Sequence, residues 1–451
     1  MMGGFRDFCA ALMAFCVATP SALAAPAPPP GYARLAEGVV KAYADPGVFS
    51  GAVLVARDGK PVFRRAFGLA NREWDIPNTP ETKFRLGSIT KQFTAASVLQ
   101  LAEQGKLSVD DSISKYYPDA PAAWAPITLK HLLTHTSGIP DYTAIPGFFL
   151  QQARLDLVPS AIVKLTQDKP LEFPPGSKYA YDNTGYVLLG YVIEKVSGQT
   201  YAAYVQDHIF TPLGMKDTGY DVATTILARR AVGYSVAGGK AKNAEFLAMT
   251  LPYAAGSLYS TVDDLLIWDQ GLHAGKVLKP ASLAAMFTDY GFEYGFGEGV
   301  SLQNGHRTWS HSGGINGFAT KLTHLPDDGL TVVVLGNIEQ APSGRVSQKL
   351  IDAWFDPKSA AGAGVKPSTR ELDRFVGRYR MTPALVIDVT RDGERLFAQG
   401  TNQPKVEIFR ESGRSYYVTV IPLVMTFADG EHAPEVSVRQ GGKDTVAKRS
   451  D

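Results

Sequence analysis

Apolar and polar residues follow two different periods along this chain, and the switches between them outline its architecture. An amphipathic pattern predicts a helix over 32–43. Residues 50–56 and 61–67 read as strands flanking Arg57-Asp58-Gly59-Lys60, whose Asp-Gly step suits a hairpin turn. After Leu86-Gly87, apolar positions at Phe93, Ala96, Val98, Leu99 and Leu101 predict a helix from residue 88 that is buried on much of its circumference. The texture stays mainly helical to about residue 271 and includes a helix over 185–196. Strands return at 307–311, 317–325 and 330–337, with a turn at Asp327-Asp328-Gly329, and a helix over 343–354 follows. Strands at both ends with helices between them predict one α/β domain, its sheet assembled from the two termini and the helical part beside it. The cleft between those parts is where an active site would sit.

Residues 357–369, PKSAAGAGVKPST, form a linker of small residues, Gly and Pro. Beyond it, short alternating runs at 375–379, 385–389, 395–399, 405–409, 415–420, 424–428 and 436–440 predict a small all-β barrel or sandwich over 370–451. The first domain then spans 32–356. The N-terminus reads as an export signal over 1–24: Arg6, the apolar run CAALMAFCVA, and Ala22-Leu23-Ala24 as the cleavage site. A Pro-rich lead-in, 25–31, follows, and the predicted location is periplasmic or secreted with no stable membrane anchor.

Composition narrows the chemistry. Lys plus Arg number 45 against 44 Asp plus Glu, and no dense basic run exists to track phosphates, so nucleic acid is not expected as a partner. Both cysteines, Cys9 and Cys16, lie in the segment to be removed. A mature chain without cysteine excludes disulfides, thiolate metal sites and cysteine catalysis.

Ser88 and Lys91 stand three residues apart at the start of the buried helix. Residues so spaced share a face, with Cβ atoms about 5–6 Å apart, so the amine can reach the hydroxyl. The Ser88 amide, free at the helix start, can point at an oxyanion on a carbonyl that Ser88 attacks. Burial and the helix dipole favour a neutral Lys91, which could take the serine proton; the shift needed is worth about 4 kcal/mol. Ser112 and Lys115 repeat the spacing, but two aspartates before them and Tyr-Tyr-Pro after them mark a surface turn or a short capped helix.

Tyr181 and Asn183 precede the 185–196 helix. A tyrosine can relay protons beside a lysine, and an asparagine can contact a substrate carbonyl; a core aromatic and a helix cap are the plain alternatives. His311, Ser312, Gly313 and Gly314 end a predicted strand, where glycines admit a substrate backbone and the Gly314 amide could complete the oxyanion hole. His131 and His135 have the spacing of two metal ligands on a helix, yet no further ligand accompanies them, and no metal or cofactor is expected.

Together, Ser88-x-x-Lys91, Tyr181-x-Asn183 and His311-Ser312-Gly313 resemble the three motifs of the serine β-lactamase and penicillin-binding-protein family. The branch is the one with class C β-lactamases, D-alanyl-D-alanine carboxypeptidases, D-aminopeptidases and esterases. GKLSVDDSISKYYP, LLTHTSGIPDY and AAGSLYSTVDDLLIW match its usual text, and the tail is similar to the lipocalin-like domain appended to some members. The resemblance implies a β-lactamase/transpeptidase-like fold, with Ser88 as acylated nucleophile and Lys91 and Tyr181 as the proton-transfer pair. It also implies Asn183 as a substrate and lysine contact, His311 as third-motif residue, and the Ser88 and Gly314 amides as oxyanion donors. His-Ser-Gly in place of Lys-Thr-Gly weakens the expectation of efficient β-lactamase activity, and Asp182, pointing away from the reacting centre, would disfavour anionic substrates. The expected function is an exported serine hydrolase acting on D-amino-acid peptides. An esterase or weak β-lactamase, and a non-catalytic cell-wall binding protein, are the alternatives; a homo-oligomer is compatible with all of them.

Overall fold

The computed structural model describes residues 27–237, 240–360, 363–419, 421, 423–440 and 443–451; the leader assigned to 1–24 lies outside them. Helix α1 (Tyr32–Ala44) leads into β1 (Gly51–Arg57) and β2 (Lys60–Phe67), joined by the Asp58-Gly59 turn. Next in chain order are the helices α2 (Thr90–Glu103), α3 (Thr184–Ser197) and α4 (Val262–His273). Then come β3 (Gly299–Gln303), β4 (His306–Ile315), β5 (Phe318–Leu325), β6 (Leu330–Gly336) and helix α5 (Ser343–Phe355). The sheet runs β3-β4-β5-β6-β1-β2 with every neighbour antiparallel, and β1 pairs with β6 from Gly51↔Gly336 to Arg57↔Leu330. The two ends of the domain therefore meet in the middle of one sheet.

Side-chain alternation explains why β1 is apolar throughout: it serves two cores at once. Ala52, Leu54 and Ala56 face the helical side with Phe93 of α2, whereas Val53 and Val55 face α1 and α5. On the helical side Phe93 stacks on Trp268 of α4 at 4.1 Å between centroids, which fixes α2 against the sheet. Two details depart from the sequence reading. Strand β4 continues through His311–Gly314 instead of ending there, because Gly313 and Gly314 keep pairing with Thr320 and Ala319 of β5. Strand β3 is an additional, half-buried edge strand that the apolar pattern does not announce.

The tail closes into an eight-stranded antiparallel barrel: β7 (Gly377–Arg380), β8 (Val386–Asp392), β9 (Arg395–Gly400), β10 (Val406–Ser412), β11 (Ser415–Tyr417), β12 (Leu423–Phe427), β13 (Glu435–Gln440) and β14 (Lys443–Arg449). The predicted runs give the first seven. The eighth, KDTVAKR, turns one residue, Ala447, fully inward, so no alternating apolar signal marks it. It closes the ring through Tyr379↔Arg449 and Arg380↔Lys448.

The two domains are fastened at Glu411 of β10, only 4% exposed. Its carboxylate accepts from Tyr43 Oη at 2.8 Å and Arg345 Nη1 at 3.1 Å, and Lys349 Nζ lies 3.4 Å away. The Tyr43 and Tyr417 rings pack beside it. No helix among the described residues is long and apolar enough to cross a membrane.

Candidate active site

Ser88 sits in a single tight turn, Gly87–Ile89, that leads into α2. That turn needs glycine at 87: its φ is +56°, and a Cβ there would stand 2.9 Å from the Gly314 nitrogen. Gly313 is pressed as closely, since a Cβ on it would meet the Leu86 oxygen at 1.8 Å. The serine turn and β4 thus touch backbone to backbone, which is how two glycines distant in sequence bring Gly314 beside Ser88.

Lys91, the second residue of α2, is wholly buried. Its Nζ lies 2.9 Å from Asn183 Oδ1, 3.0 Å from the Ala255 carbonyl and 3.1 Å from Ser88 Oγ. Burial lowers its pKa from 10.5 to about 7, against an upward pull from Asp141 and Asp182. The uncharged form has two N–H donors and one lone pair. Asn183 and Ala255 take the donors, which leaves the lone pair facing the Ser88 hydroxyl. Asn183 is held in that orientation because its Nδ2 donates to Asp141 Oδ2 at 3.2 Å. It occupies the N-cap position of α3, yet its side chain caps nothing. Asp182 next to it does that work, accepting from the Gly185 amide.

The Tyr181 ring centroid is 4.7 Å from Lys91 Nζ. Although 38% of the residue is exposed, burial around the hydroxyl drives its pKa well up, opposed by its interaction with Ser88. Beneath it lies His135, at 4.2 Å between centroids, whose Nδ1 accepts from the Asp182 amide. Burial pushes Asp182 up to about 7, and at 2% exposed it presents no charge to the surface.

His311 is close by but turned away. Alternation along β4 buries His311 and Gly313 and leaves Ser312 and Gly314 on the open face. The His311 Nδ1 lies 2.6 Å from the Ser312 carbonyl, so it carries the proton, and Nε2 accepts from Tyr294 Oη at 2.9 Å. Burial and the neighbouring Lys91 hold its pKa well below 6.5. The ring is neutral with both nitrogens occupied. Because β3 pairs only as far as Ser310, the backbone edge of residues 311–314 stays unpaired on that side.

A cavity of about 280 Å³ opens over Ser88, Asn183 and Gly314. Its walls include Phe148, Phe149 and Leu251, and its one charged lining residue is Glu339. Lys91, Tyr181 and His311 adjoin this space without lining it.

The other candidates have structural uses. Ser112 Oγ caps a short turn through the Ser114 amide, and Lys115 pairs with Asp111 at 3.0 Å. His131 Nδ1 accepts from the Thr128 amide, so neither it nor His135 has both nitrogens free. A different trio, Asp269, His273 and His324, brings possible metal-ligand atoms within 4.8 Å of one another. Its imidazoles stack in planes 16° apart at 4.0 Å, however, so their in-plane lone pairs do not converge on one ion. Asp269 Oδ2 is already taken by Thr331 and Gln270. The Ala255 carbonyl, Asp141, Tyr294 and Glu339 escape sequence reasoning. Asp141 and Ala255 lie in the LLTHTSGIPDY and AAGSLYSTVDDLLIW stretches, but nothing there singles them out, Tyr294 and Glu339 lie in no motif, and a backbone carbonyl has no residue signature at all.

Known proteins share this fold. A family model described as Beta-lactamase matches residues 33–353. A penicillin-binding protein of Bacillus subtilis is 30% identical over 419 residues, covering 85% of this chain and 91% of that protein. A D-aminopeptidase of Gluconobacter oxydans is 26% identical over 377 residues, 76% of this chain and 69% of the relative. The structure of an octameric penicillin-binding protein homologue from Pyrococcus abyssi superposes with a TM-score of 0.68 at 26% identity, covering 92% of this chain and 99% of the other.

Proposed function

Because the chain belongs to the Beta-lactamase family of serine hydrolases, we propose that it forms an acyl-enzyme on Ser88 and cleaves amide bonds of D-amino-acid peptides or amides that carry a free amino group. The observation that carries this is the buried Lys91 amine 3.1 Å from Ser88 Oγ, with burial lowering its pKa to about 7. As Oγ attacks the carbonyl carbon, Lys91 takes the hydroxyl proton. The oxyanion is stabilised by the Ser88 and Gly314 amides. Collapse of the tetrahedral intermediate expels the amine, which receives its proton through the Tyr181 hydroxyl, and water then releases the acyl group by the reverse route.

Four points support the substrate class. His311 has no free N–H and no charge to offer a carboxylate, which disfavours the anchoring that a β-lactam or a C-terminal carboxylate needs. Glu339, the one charged lining residue, favours an ammonium group instead. The relative from Gluconobacter oxydans is named a D-aminopeptidase. The free edge at 311–314, with Ser312 and Gly314 on its open face, suits an extended substrate backbone.

The test is a panel: D-alanine anilide, its N-acetylated form, a D-Ala-D-Ala peptide with a blocked amine, a short-chain ester and a cephalosporin, each with wild type and Ser88→Ala. The free-amine anilide should be turned over fastest, and Ser88→Ala should lose at least about 10³-fold with its fold intact. Faster cleavage of the blocked peptide would overturn the substrate class; unchanged turnover by Ser88→Ala would overturn the mechanism. The reading includes export: the secreted or periplasmic protein should begin at Ala25 on N-terminal sequencing. Self-association of this chain belongs to the same reading, and light scattering measures it.

A further inference from the structure

His135, in LLTHTSGIPDY, takes no part in the proposed chemistry, yet it holds the loop that carries Tyr181 at two points. Its carbonyl accepts from the Ala180 amide at 2.9 Å, and its Nδ1 accepts from the Asp182 amide at 3.2 Å. Tyr181, between those two anchors, lays its ring on the imidazole, 4.2 Å between centroids with planes 36° apart. The rings of Tyr186 and Tyr294 close on the same imidazole at 5.1 and 5.0 Å. The backbone of His135 has φ +56°, a left-handed conformation that few residues other than glycine adopt, asparagine, aspartate and histidine being the usual exceptions.

This arrangement has a cost. Burial, with the neighbouring Lys91, keeps the ring neutral, and because Nδ1 is the acceptor, the proton is on Nε2. Nε2 is buried without a hydrogen-bond partner among the described residues, a state that costs about 1–3 kcal/mol. Of the residues that tolerate this φ, asparagine could supply the acceptor for Asp182, but only histidine also supplies a flat ring. Tyr181 needs such a floor. The residue is 38% exposed, and its open side offers no packing. The imidazole and the two anchors on the loop therefore set where the phenol stands beside Ser88. A displacement of about 1 Å in a reacting group can cost about 10²-fold in rate.

Resting on the reading of Tyr181 as proton donor to the leaving amine, we infer that His135 is a positioning residue, which acts on amide cleavage through Tyr181 by supporting its ring and tying down its loop. A nitrophenyl ester expels an anion that needs no proton, so its acylation should escape a defect in Tyr181. The experiment measures kcat/KM for D-alanine anilide and for the nitrophenyl ester of D-alanine in wild type, His135→Asn, Tyr181→Phe and the double variant. The anilide-to-ester ratio does not depend on how much of a variant folds. His135→Asn should lower that ratio at least about tenfold, and Tyr181→Phe at least as far. The double variant should fall no further than Tyr181→Phe alone, because His135 acts through that hydroxyl. An unchanged ratio in His135→Asn beside a lowered one in Tyr181→Phe would overturn the positioning role and leave the proton donor standing. Losses that add in the double variant would also overturn it, since His135 would then act by another route. An unchanged ratio in Tyr181→Phe would overturn the proton-donor reading and the inference with it.

Discussion

Two of the buried ionisable side chains, Glu411 and Lys91, sit under opposite conditions. Glu411, at the domain junction, meets Tyr43, Arg345 and Lys349, so its charge is matched and hydrogen-bonded. Lys91 meets an amide oxygen, a backbone carbonyl and a hydroxyl, with no carboxylate in contact among the described residues. Burial alone therefore decides neither outcome. Partners of opposite charge turn a buried group into a fastener, whereas dipoles without a full charge leave it ready to give up or take a proton near neutral pH.

Removing the lysine is the most severe way to break the contrast. Lys91→Met should lower kcat/KM by about 10³-fold or more, because no other amine is positioned to take the serine proton. Its effect on stability should have the other sign. The folded pKa is lowered to about 7, so the unfolded chain binds more protons, and stability rises with pH between about 7 and 10.5. At pH 7 the burial penalty is about 4 kcal/mol, set against three lost hydrogen bonds of about 1 kcal/mol each. Thermal unfolding should therefore show an unchanged or higher Tm; a lower Tm would mean that Lys91 is a structural contact first.

The counterpart is Glu411→Ala, which leaves Arg345 and Lys349 facing each other at the junction. It should cost about 2–4 kcal/mol in denaturant unfolding and separate the barrel's transition from that of the hydrolase domain. Turnover of a small substrate should change little, and a large fall in kcat would tie the junction to the chemistry.

Much of the contrast was legible beforehand, though unevenly. Ser88 and Lys91 could be paired because helix geometry relates neighbours three apart, and β1, β2, β4, β5 and β6 could be traced because their apolar runs are short and bounded by turn residues, whereas the half-buried edge strand β3 could not. Strand β14 could not, since a barrel strand whose other face meets solvent needs few apolar residues to hold its place. His311 could be located but not oriented. Strand alternation and Tyr294 decide where its nitrogens point, and neither is visible in a three-residue motif. Glu411 resembles any other strand carboxylate until α1 and α5 are folded against it.

Asn183→Asp sharpens the comparison by giving Lys91 the kind of partner Glu411 has. A carboxylate in place of the amide oxygen now 2.9 Å away would hold the ammonium form. The rising limb of the acylation rate against pH, expected about pH 7 in the wild type from the Lys91 pKa, should move upward by about 1–3 pH units. A limb that stays in place would show that another group titrates there. The smallest effect belongs to Tyr43→Phe, which deletes one hydrogen bond to a charged acceptor while leaving both cations on Glu411. About 1–2 kcal/mol of stability should be lost, with kcat unaltered.

The pairing of β1 with β6 carries a consequence for how this chain comes into being. As the polypeptide leaves the ribosome, its first hairpin has one edge with nothing to zip against until Gly336 has been synthesised. Closing so long a loop makes sheet assembly a late and entropically demanding event. Any truncation product ending short of that strand would expose the apolar edge of β1 and be prone to aggregate, whereas one ending in the linker would keep a complete central sheet.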